Sequence, residues 1–518
     1  MEIQSHSRVV FKTYNQNQLM LIPPSLDELI KPNHPVRLIN KVIDRLDLES
    51  LVNKYEGGGA SSYHPRMLLK VLVYGYLCNI YSSRKLEDAV MENIHFMWLA
   101  GMNTPDHHTI NRFRSDRLKD NIKKLFSQVV LLLAEAGMIS LKEVYTDGTK
   151  IEANANKYTF VWGKSIKNNK ANMLHQLEEL WRYTQQVAQR ELSEPEPDFG
   201  SLGPEELEAA IDQLRQTLKA ADVEDEEIKK KAVQKLNYAK NHWPDKLIEY
   251  AEKEQLMGLR NSYSKTDPDA TFMRMKEDHM KNGQLKAGYN VQLSTRNQFI
   301  VHFSLHQNPT DTTTLIPHFE SFKTSYGCLP ETITADAGYG SEENYVWLER
   351  QQIQGYVKYN YFHKEQHKAS RQKPLPLDPN TLHYDNQGDR YICPMGQTME
   401  NVHNRQRQTA TGYLQTTNTY RTGNCSGCPM AATCQPVDGQ TSLVVNHRLS
   451  RLKAQARQLL LSDEGIRKRK QRSIDVEPVF GQLKQNRNFK RFRLRGLQKV
   501  EIEMGLAAMA HNIAKMAG

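Results

Sequence analysis

The sequence predicts an α/β protein in which a helical first quarter precedes a strand-bearing core, and two further segments interrupt that core. Three observations carry this reading. Apolar residues recur at helical spacing from Pro65 to Val90 and from Asn121 to Gly137. Runs rich in β-branched residues begin at Glu143 and resume at Tyr289 and Glu331. Helical spacing returns from Leu452 onward. A length of 518 residues leaves room for about three or four structural units.

Residues 1–140 read as an N-terminal helical, candidate DNA-binding domain. PRMLLKVLVYGYLCNIYSSRKLEDAV (Pro65–Val90) is helical, and NIKKLFSQVVLLLAEAG (Asn121–Gly137) ends in a glycine at a C-cap position. Between them, PDHHTINRFR (Pro105–Arg114) reads as a turn and cap leading into a basic helix with Arg112 and Arg114. Helix, turn and basic helix is the pattern of a DNA-reading unit, and a plain helical bundle with a charged face fits it equally.

Residues 141–160 predict the first part of the core. Val144, Thr146, Thr149 and Ile151 surround Asp147-Gly148, which suggests a strand pair or a strand with a turn. Residues 161–260 return to helix. Leu174, Leu177 and Trp181 keep helical spacing, as do Leu207, Ile211, Leu214 and Leu218, with a Pro/Gly linker at Ser193–Glu206. Together they predict a coiled-coil-like helical hairpin inserted into the core. The core continues over 261–356, with a hairpin turning at Thr295–Gln298, a helix over Pro309–Phe322, a short strand ending at Asp336 and a helix over Glu342–Gln352. Residues 357–450 form a polar, loop-rich insertion bearing cysteines, and 451–518 supply C-terminal core helices.

With 39% apolar and 25% charged residues, the composition excludes collagen-like, mucin-like and wholly disordered chains. The longest apolar runs, Val71–Tyr81 and Val129–Ala134, fall short of the ~20 residues a membrane span needs. The first residues lack a charged-then-apolar export pattern. Six cysteines make no disulfide framework, so a reducing cytoplasm is expected, with nucleoid association when DNA is bound. Cys78 and Cys328 read as core thiols. Between Arg467 and Lys499, twelve Lys/Arg face two acids, a local excess equal to the net +10 of the whole chain. Glu191–Glu254 has the opposite bias, seventeen acids against nine bases. A polyanionic partner is therefore expected at one place.

Strand, hairpin, strand, helix and then a late helix is the element order of a ribonuclease H-like core. Three acids fall where such a core places metal ligands: Asp147 in mid-strand, Asp336 at a strand end before a Gly-rich turn, and Glu477 at or near a helix start that Pro478 favours. Two-metal phosphoryl transfer needs hard oxygen ligands clustered on a rigid sheet, the ions about 3.5–4 Å apart. Taken singly, an Asp at a strand end reads more often as a cap or turn residue.

TDGTKIEANANK (Thr146–Lys157), TADAGYGS (Thr334–Ser341) and VEPVFGQLKQNRNFKRFRLRG (Val476–Gly496) closely resemble the Asp-Asp-Glu (DDE) transposases of bacterial insertion sequences, best their eleven-eighty-two branch. YHPRMLLKVLVYGY (Tyr63–Tyr76), SSRKLEDA (Ser82–Ala89), PDHHTINRFR, SKTDPDATFM (Ser264–Met273) and the spaced cysteines extend the resemblance over roughly residues 20–515. It implies a catalytic triad of Asp147, Asp336 and Glu477 using two Mg²⁺ or Mn²⁺ ions. It further implies cleavage at terminal inverted repeats, joining of the 3′-hydroxyl to target DNA, and a homodimer or larger synaptic assembly on double-stranded DNA. Lys484 matches the family lysine seven residues after the glutamate, on the same helix face about 10.5 Å along the axis, as a phosphate ligand. The family's Tyr and Arg, seven and four residues before the glutamate, are replaced by Lys470 and Ser473. Arg472 is one residue, about 100° of helix, out of register, and is carried as a candidate phosphate ligand. Asp267, Asp269 and Asp311 also fall in matching motifs; the first two read as a turn, the third as an N-cap.

Cys393, the pair Cys425-x₂-Cys428, and Cys434 have the spacing of a closed four-thiolate zinc site, and free thiols in a loop domain are the other reading. In NRNFKRFRLRGLQK (Asn486–Lys499), Arg487, Lys490, Arg491, Arg493 and Arg495 interleave with Phe489, Phe492 and Leu494, so the apolar side chains can pack while the cations meet DNA phosphate. Two other functions fit the same residues: a ribonuclease H-like nuclease that cuts without joining, and a non-catalytic, zinc-containing DNA-binding protein derived from a transposase.

Overall fold

The structure, a computed structural model, describes residues 25–55, 62–188, 202–220, 226–275, 284–366, 377–379, 381–434, 437 and 439–518. Most of the Pro/Gly linker, residues 193–201, lies outside the described residues.

The N-terminal region is helical: α1 (Leu26–Leu29), α2 (Pro35–Asp44), α3 (Glu49–Val52), α4 (Pro65–Leu77), α5 (Ser83–Glu92), α6 (Ile94–Ala100), α7 (His107–Arg112) and α8 (Ile122–Glu135). The starts of α2 and α4 share one device. A histidine N-cap, His34 or His64, accepts a backbone N–H through Nδ1, and the proline after it presets the first helical φ. Asp106 caps α7 by accepting from Thr109 N at 2.8 Å.

Strand β1 (Glu143–Glu152) is continuous through Asp147-Gly148, not turned there. Gly148 is needed for packing: a Cβ at this position would stand 2.5 Å from Gln292 Nε2 and 2.6 Å from Asp311 Oδ1. A ribbon of β2 (Phe160–Trp162) and β3 (Ser262–Ser264) flanks the helices α9 (Gly163–Ala188), α10 (Pro204–Ala220) and α11 (Glu226–Met257). Where a two-helix hairpin was expected, the described residues carry three helices, closed around a core of their own that includes Leu177, Trp181, Leu214 and Trp243.

The main sheet then adds β4 (Thr271–Arg274), β5 (Leu285–Arg296), β6 (Phe299–His306), β7 (Thr332–Ala335) and β8 (Gln354–Val357). Its path is β4-β5-β1-β7-β8, with β6 also on β5. β5 and β6 form the expected hairpin, whose turn residues Asn297 and Gln298 both have positive φ. β5 lies antiparallel to β1, whereas β7 and β8 run parallel to it. Helices α12 (Leu315–Tyr326) and α13 (Glu342–Arg350) connect the parallel strands, and α14 (Phe362–Gln366) follows β8.

The cysteine-bearing stretch is more ordered than its polar composition suggests. β9 (His383–Asp385), β10 (Arg390–Ile392), β11 (Thr398–Gln408), β12 (Leu414–Thr422) and β13 (Ser442–Val445) form an antiparallel sheet over a small core of Tyr391, Met399, Tyr420, Leu443 and Val445, with α15 (Ala431–Cys434) alongside. The chain ends in α16 (His447–Leu461), α17 (Asp463–Gly481) and α18 (Leu497–Ala517). α18 is buried from Val500 almost throughout, and Gly505 admits Ile122 and Phe303, which a Cβ would meet at 2.4 and 3.2 Å. One hydrophobic cluster thereby joins the N-terminal helices, the sheet and the C-terminal helices.

Two sequence expectations are corrected. Cys78 and Cys328 are exposed, because one sits at the C-cap of α4 and the other just past the Gly327 turn that ends α12. Glu477 does not start a helix: α17 begins at Asp463, capped by Ser462, and Pro478 lies inside it. Among the described residues, no helix is long and apolar enough to cross a membrane.

Candidate active site and nucleic-acid interface

The parallel register of β1 and β7 pairs Thr146 with Ala335, so Asp147 and Asp336 are the next residues on neighbouring strands. Asp147 projects to the sheet face covered by α17. There Lys468 pairs with Glu143 at 2.6 Å and, one helical turn later, Arg472 Nη1 reaches Asp147 Oδ2 at 3.0 Å. Arg472 Nη2 lies 4.0 Å from Asp336 Oδ2, and Lys358 Nζ lies 3.4 Å from Asp336 Oδ1. Burial works to raise the Asp336 carboxyl, but Arg472, the Ala337 N–H and Lys358 outweigh it and hold it below the usual carboxylate range. The Asp147 side chain is 13% exposed and that of Asp336 45%, so the centre opens to solvent on the Asp336 side.

A polar network fixes the two strand ends. Asp311 Oδ1 accepts from Asn290 Nδ2 at 2.8 Å and from Gln292 Nε2 at 2.9 Å, while the Tyr339 hydroxyl donates to Gln292 Oε1. Thr312 Oγ1 donates to the Gly338 carbonyl, and Asn344 Nδ2 to those of Thr312 and Tyr339. The Asp311 carboxylate is therefore wedged beside Gly148 and Gly338, the glycines that follow Asp147 and Asp336. It is not the N-cap of α12, which is Thr314. Asp267 and Asp269 serve elsewhere: they accept the Gly496 and Leu497 N–H groups where α18 begins.

On α17 the buried residues are Gly465, Arg472, Asp475, Val476 and Val479. Glu477 is exposed, five residues after Arg472, or about 140° around the helix. The buried acid of this helix is Asp475, whose Oδ1 accepts from Gln298 N at 3.0 Å. The structure thus brings Asp147, Asp336 and Arg472 together, with Asp311 next to them, and leaves Glu477 on another face of the same helix. Among the described residues, no three His, Cys, Asp or Glu side chains are arranged to hold a metal ion.

A family model described as "Transposase DDE domain" matches residues 392–517, and another, "Transposase domain (DUF772)", matches residues 24–116. These matches indicate an insertion-sequence DDE transposase. Glu477 and the basic segment fall inside the first span, and Arg112 and Arg114 inside the second; Asp147 and Asp336 lie outside both. No curated protein and no solved structure matches the chain.

The basic segment is woven against the exit of β1. Lys490 O accepts from Glu152 N and Glu152 O from Phe492 N. Arg491 donates to the carbonyls of Ala153 and Ala155, and Arg495 to that of Asn154. Phe489 and Phe492 are buried, while Lys490, Arg491, Arg493 and Arg495 remain exposed, as does Arg112. Other expected phosphate ligands face inward. Lys484 is buried and donates to the Lys150 carbonyl at 3.0 Å; Arg487 is half-buried and donates to that of Leu77; Arg114 is buried and donates to that of Tyr81. Arg472 is occupied by carboxylates. The exposed cations Lys490, Arg491, Arg493 and Arg495 lie in the irregular stretch between the π-turn Gln482–Asn486 and α18, not on a helix face. Lys358, Gln292 and Tyr339 were missed by sequence reasoning, since no spacing pattern singles them out.

The four clustered cysteines line one small cavity of about 20 Å³. Hydroxyls of Thr422 and Thr441 approach Cys425 Sγ at 3.0 and 3.3 Å and lower that thiol's pKa, whereas burial and the three neighbouring thiols raise that of Cys434.

Proposed function

We propose that this transposase is a DNA-cutting and DNA-joining enzyme with a ribonuclease H-like core, acting at the terminal inverted repeats of its element. The observation that carries the reading is the adjacency of Asp147, on β1, and Asp336, just past the parallel strand β7, in a sheet whose order β6-β5-β1-β7-β8, with β4 also on β5, has β5 alone reversed. One reversed strand among parallel neighbours, with the two carboxylates at the middle of the sheet, supports a ribonuclease H-like core.

The residues suit divalent cations. Both acids are hard oxygen donors, and the Arg472 guanidinium beside them marks a place where positive charge is stabilised. Asp147 and Asp336 would hold Mg²⁺ or Mn²⁺ with Glu477 as the third acid, and the ions would supply charge stabilisation for the attacking and leaving oxygens of the scissile phosphate. From its exposed position Glu477 reaches the centre only if the last turns of α17 rotate. Pro478 within the helix and the π-turn at Gln482–Asn486 interrupt the hydrogen-bond ladder there. Arg472 neutralises the two carboxylates until then, and the exposed cations Lys490, Arg491, Arg493 and Arg495 hold the DNA backbone next to β1. The four thiols that border the cysteine cavity supply the donor set of one structural zinc, which they would have to close upon, since they do not stand in metal-holding positions. Transposition joins two ends, so the working unit is a dimer or larger synaptic assembly.

A duplex carrying the element end is cut in Mg²⁺ or Mn²⁺ by the wild type and not by Asp336→Asn; equal cutting by both overturns the assignment. Cut ends that are never joined to target DNA would mark a nuclease instead. The second reading, a non-catalytic DNA-binding descendant, is favoured by the exposure of Glu477, and DNA binding without cleavage would establish it. Metal analysis of the purified protein should find about one zinc per chain, lost in Cys425→Ser/Cys428→Ser.

A further inference from the structure

Beyond Asn401, β11 and β12 leave their sheet and continue as a two-stranded ribbon. β10 pairs only with Thr398–Glu400, and β13 only with Asn418–Arg421. Among the described residues, the stretch Arg405–Gln408, paired with Leu414–Thr417, therefore has no third strand on either edge. Every residue from Val402 to Gln408 is exposed. Such a ribbon has no apolar face to stabilise it and is marginal in isolation. Its tip is nevertheless fixed to the core: the Tyr413 hydroxyl donates to Glu342 Oε1 at 3.0 Å, and Thr411 Oγ1 to Glu343 Oε2 at 2.6 Å. Glu342 is buried and also accepts from Asn446 Nδ2 at 2.6 Å. It opens α13, six residues after Asp336, so the ribbon is anchored to the element that follows the candidate centre.

The cross-strand register sorts its side chains. One face carries His403, Arg405 and Arg407 opposite Thr419, Thr417 and Gln415; the other carries Asn404, Gln406 and Gln408 opposite Asn418, Thr416 and Leu414. No acidic residue occurs anywhere from Asn401 to Val437. One face is thus cationic and the other is rich in amides. A two-stranded ribbon fits the major groove of duplex DNA, where arginine pairs with guanine edges and Asn or Gln with adenine. Arginines on open strand edges also discourage pairing with a second copy of the same chain.

We propose that the β11–β12 ribbon is a duplex-DNA arm. It enters a major groove beside the cleavage centre, with Arg405 and Arg407 on phosphates and base edges and the amides of Asn404 and Gln406 available for readout. The proposal rests on the transposase reading above. The test uses the full chain and two fluorescent duplexes, one bearing the inverted-repeat end and one of unrelated sequence, titrated between about 0.05 and 0.2 M salt. Arg405→Ala/Arg407→Ala should bind at least tenfold more weakly, with the log–log salt slope shallower by about 1–2. Arg405→Lys/Arg407→Lys should keep the slope and lose preference for the end duplex. Unchanged affinity and slope in the alanine variant overturn the arm. So does a variant that loses self-association in sedimentation while its DNA affinity stays intact, because the edge would then be a surface between copies. A wild type that binds neither duplex overturns the transposase reading itself, whereas wild-type binding with an unaffected variant overturns the arm alone.

Discussion

Arg472 and Asp147, separated by 325 positions in the chain, are joined by a 3.0 Å charge-assisted hydrogen bond. The two side chains are only 9% and 13% exposed. Taking away one partner of such a pair leaves the other charge buried and uncompensated. Here the Asp147 carboxylate would lose its arginine while still facing Asp336.

Arg472→Gln should therefore destabilise the fold by roughly 3 kcal/mol in urea unfolding at neutral pH. Mg²⁺ should restore more stability to the variant than it adds to wild type, since a divalent cation would then meet two acids that have lost their shared arginine. Equal stabilisation of both proteins by Mg²⁺ would show that Arg472 does not guard the centre. The pH dependence has a definite sign. The Asp336 carboxyl is held below its ordinary value, chiefly by Arg472 acting against burial. Its contribution is complete above an unfolded pKa of about 3.9 and is lost as pH falls through the lower folded value. The variant should lose less on acidification.

Glu477→Gln and Asp475→Asn separate chemistry from architecture. The first alters an exposed side chain and should abolish end cleavage while leaving the melting temperature within about 1 °C. The second weakens a buried acceptor of the Gln298 N–H and should lower stability by about 1–3 kcal/mol. Full cleavage by Glu477→Gln would remove it from the triad.

The wedge beside the strand ends has no slack. Gly148→Ala drives a methyl against Gln292 and Asp311 and should cost about 1–3 kcal/mol along with cleavage activity. Asp311→Ala opens that space and leaves two amide donors without their acceptor, at a similar cost. If the two changes combined were no worse than either alone, the shared contact would be established; strict additivity would deny it.

Acid should loosen the fold from within. Burial lowers His302 to about 3, and His306 and His511 to about 4, and it depresses His318 as well. His318 lies between the hydroxyls of Ser294 and Ser304, and Ser304 also meets His306. These imidazoles are neutral when folded and take up protons near 6.5 when unfolded. Stability is complete above that pH and falls as pH drops toward 4, by up to about 1.4 kcal/mol per unit for each histidine. Urea midpoints at pH 7 and pH 5 test this, and a flat profile would contradict it.

Legibility in the sequence followed the range of the interactions. The β5–β6 hairpin declared itself through alternation and the Asn297-Gln298 turn, and Asp336 through a β-branched run that ends in a glycine-rich turn. Both are local signals. The phase of α17 was not local. Glu477 looked like a helix start because Pro478 follows it, yet Ser462 begins the helix fifteen residues earlier and thereby decides which side chains face the sheet. Arg472 was noticed only as an arginine out of register, because its partner Asp147 is distant in sequence. The second sheet escaped notice because its strands alternate polar with polar, and only five buried residues mark its inner side.

The 325-position gap between Asp147 and Arg472 also sets a schedule. At roughly 5–20 residues per second, a ribosome makes Arg472 about 15–65 seconds after Asp147. Throughout that interval β1 lacks its counter-ion, the α17 cover and the segment that seals its exit at Glu152. On the proposed function, the centre that cuts DNA is completed after the N-terminal helices are made, and the core those helices share with α18 later still. On that reading, a product that stops short of residue 472 has no cutting centre.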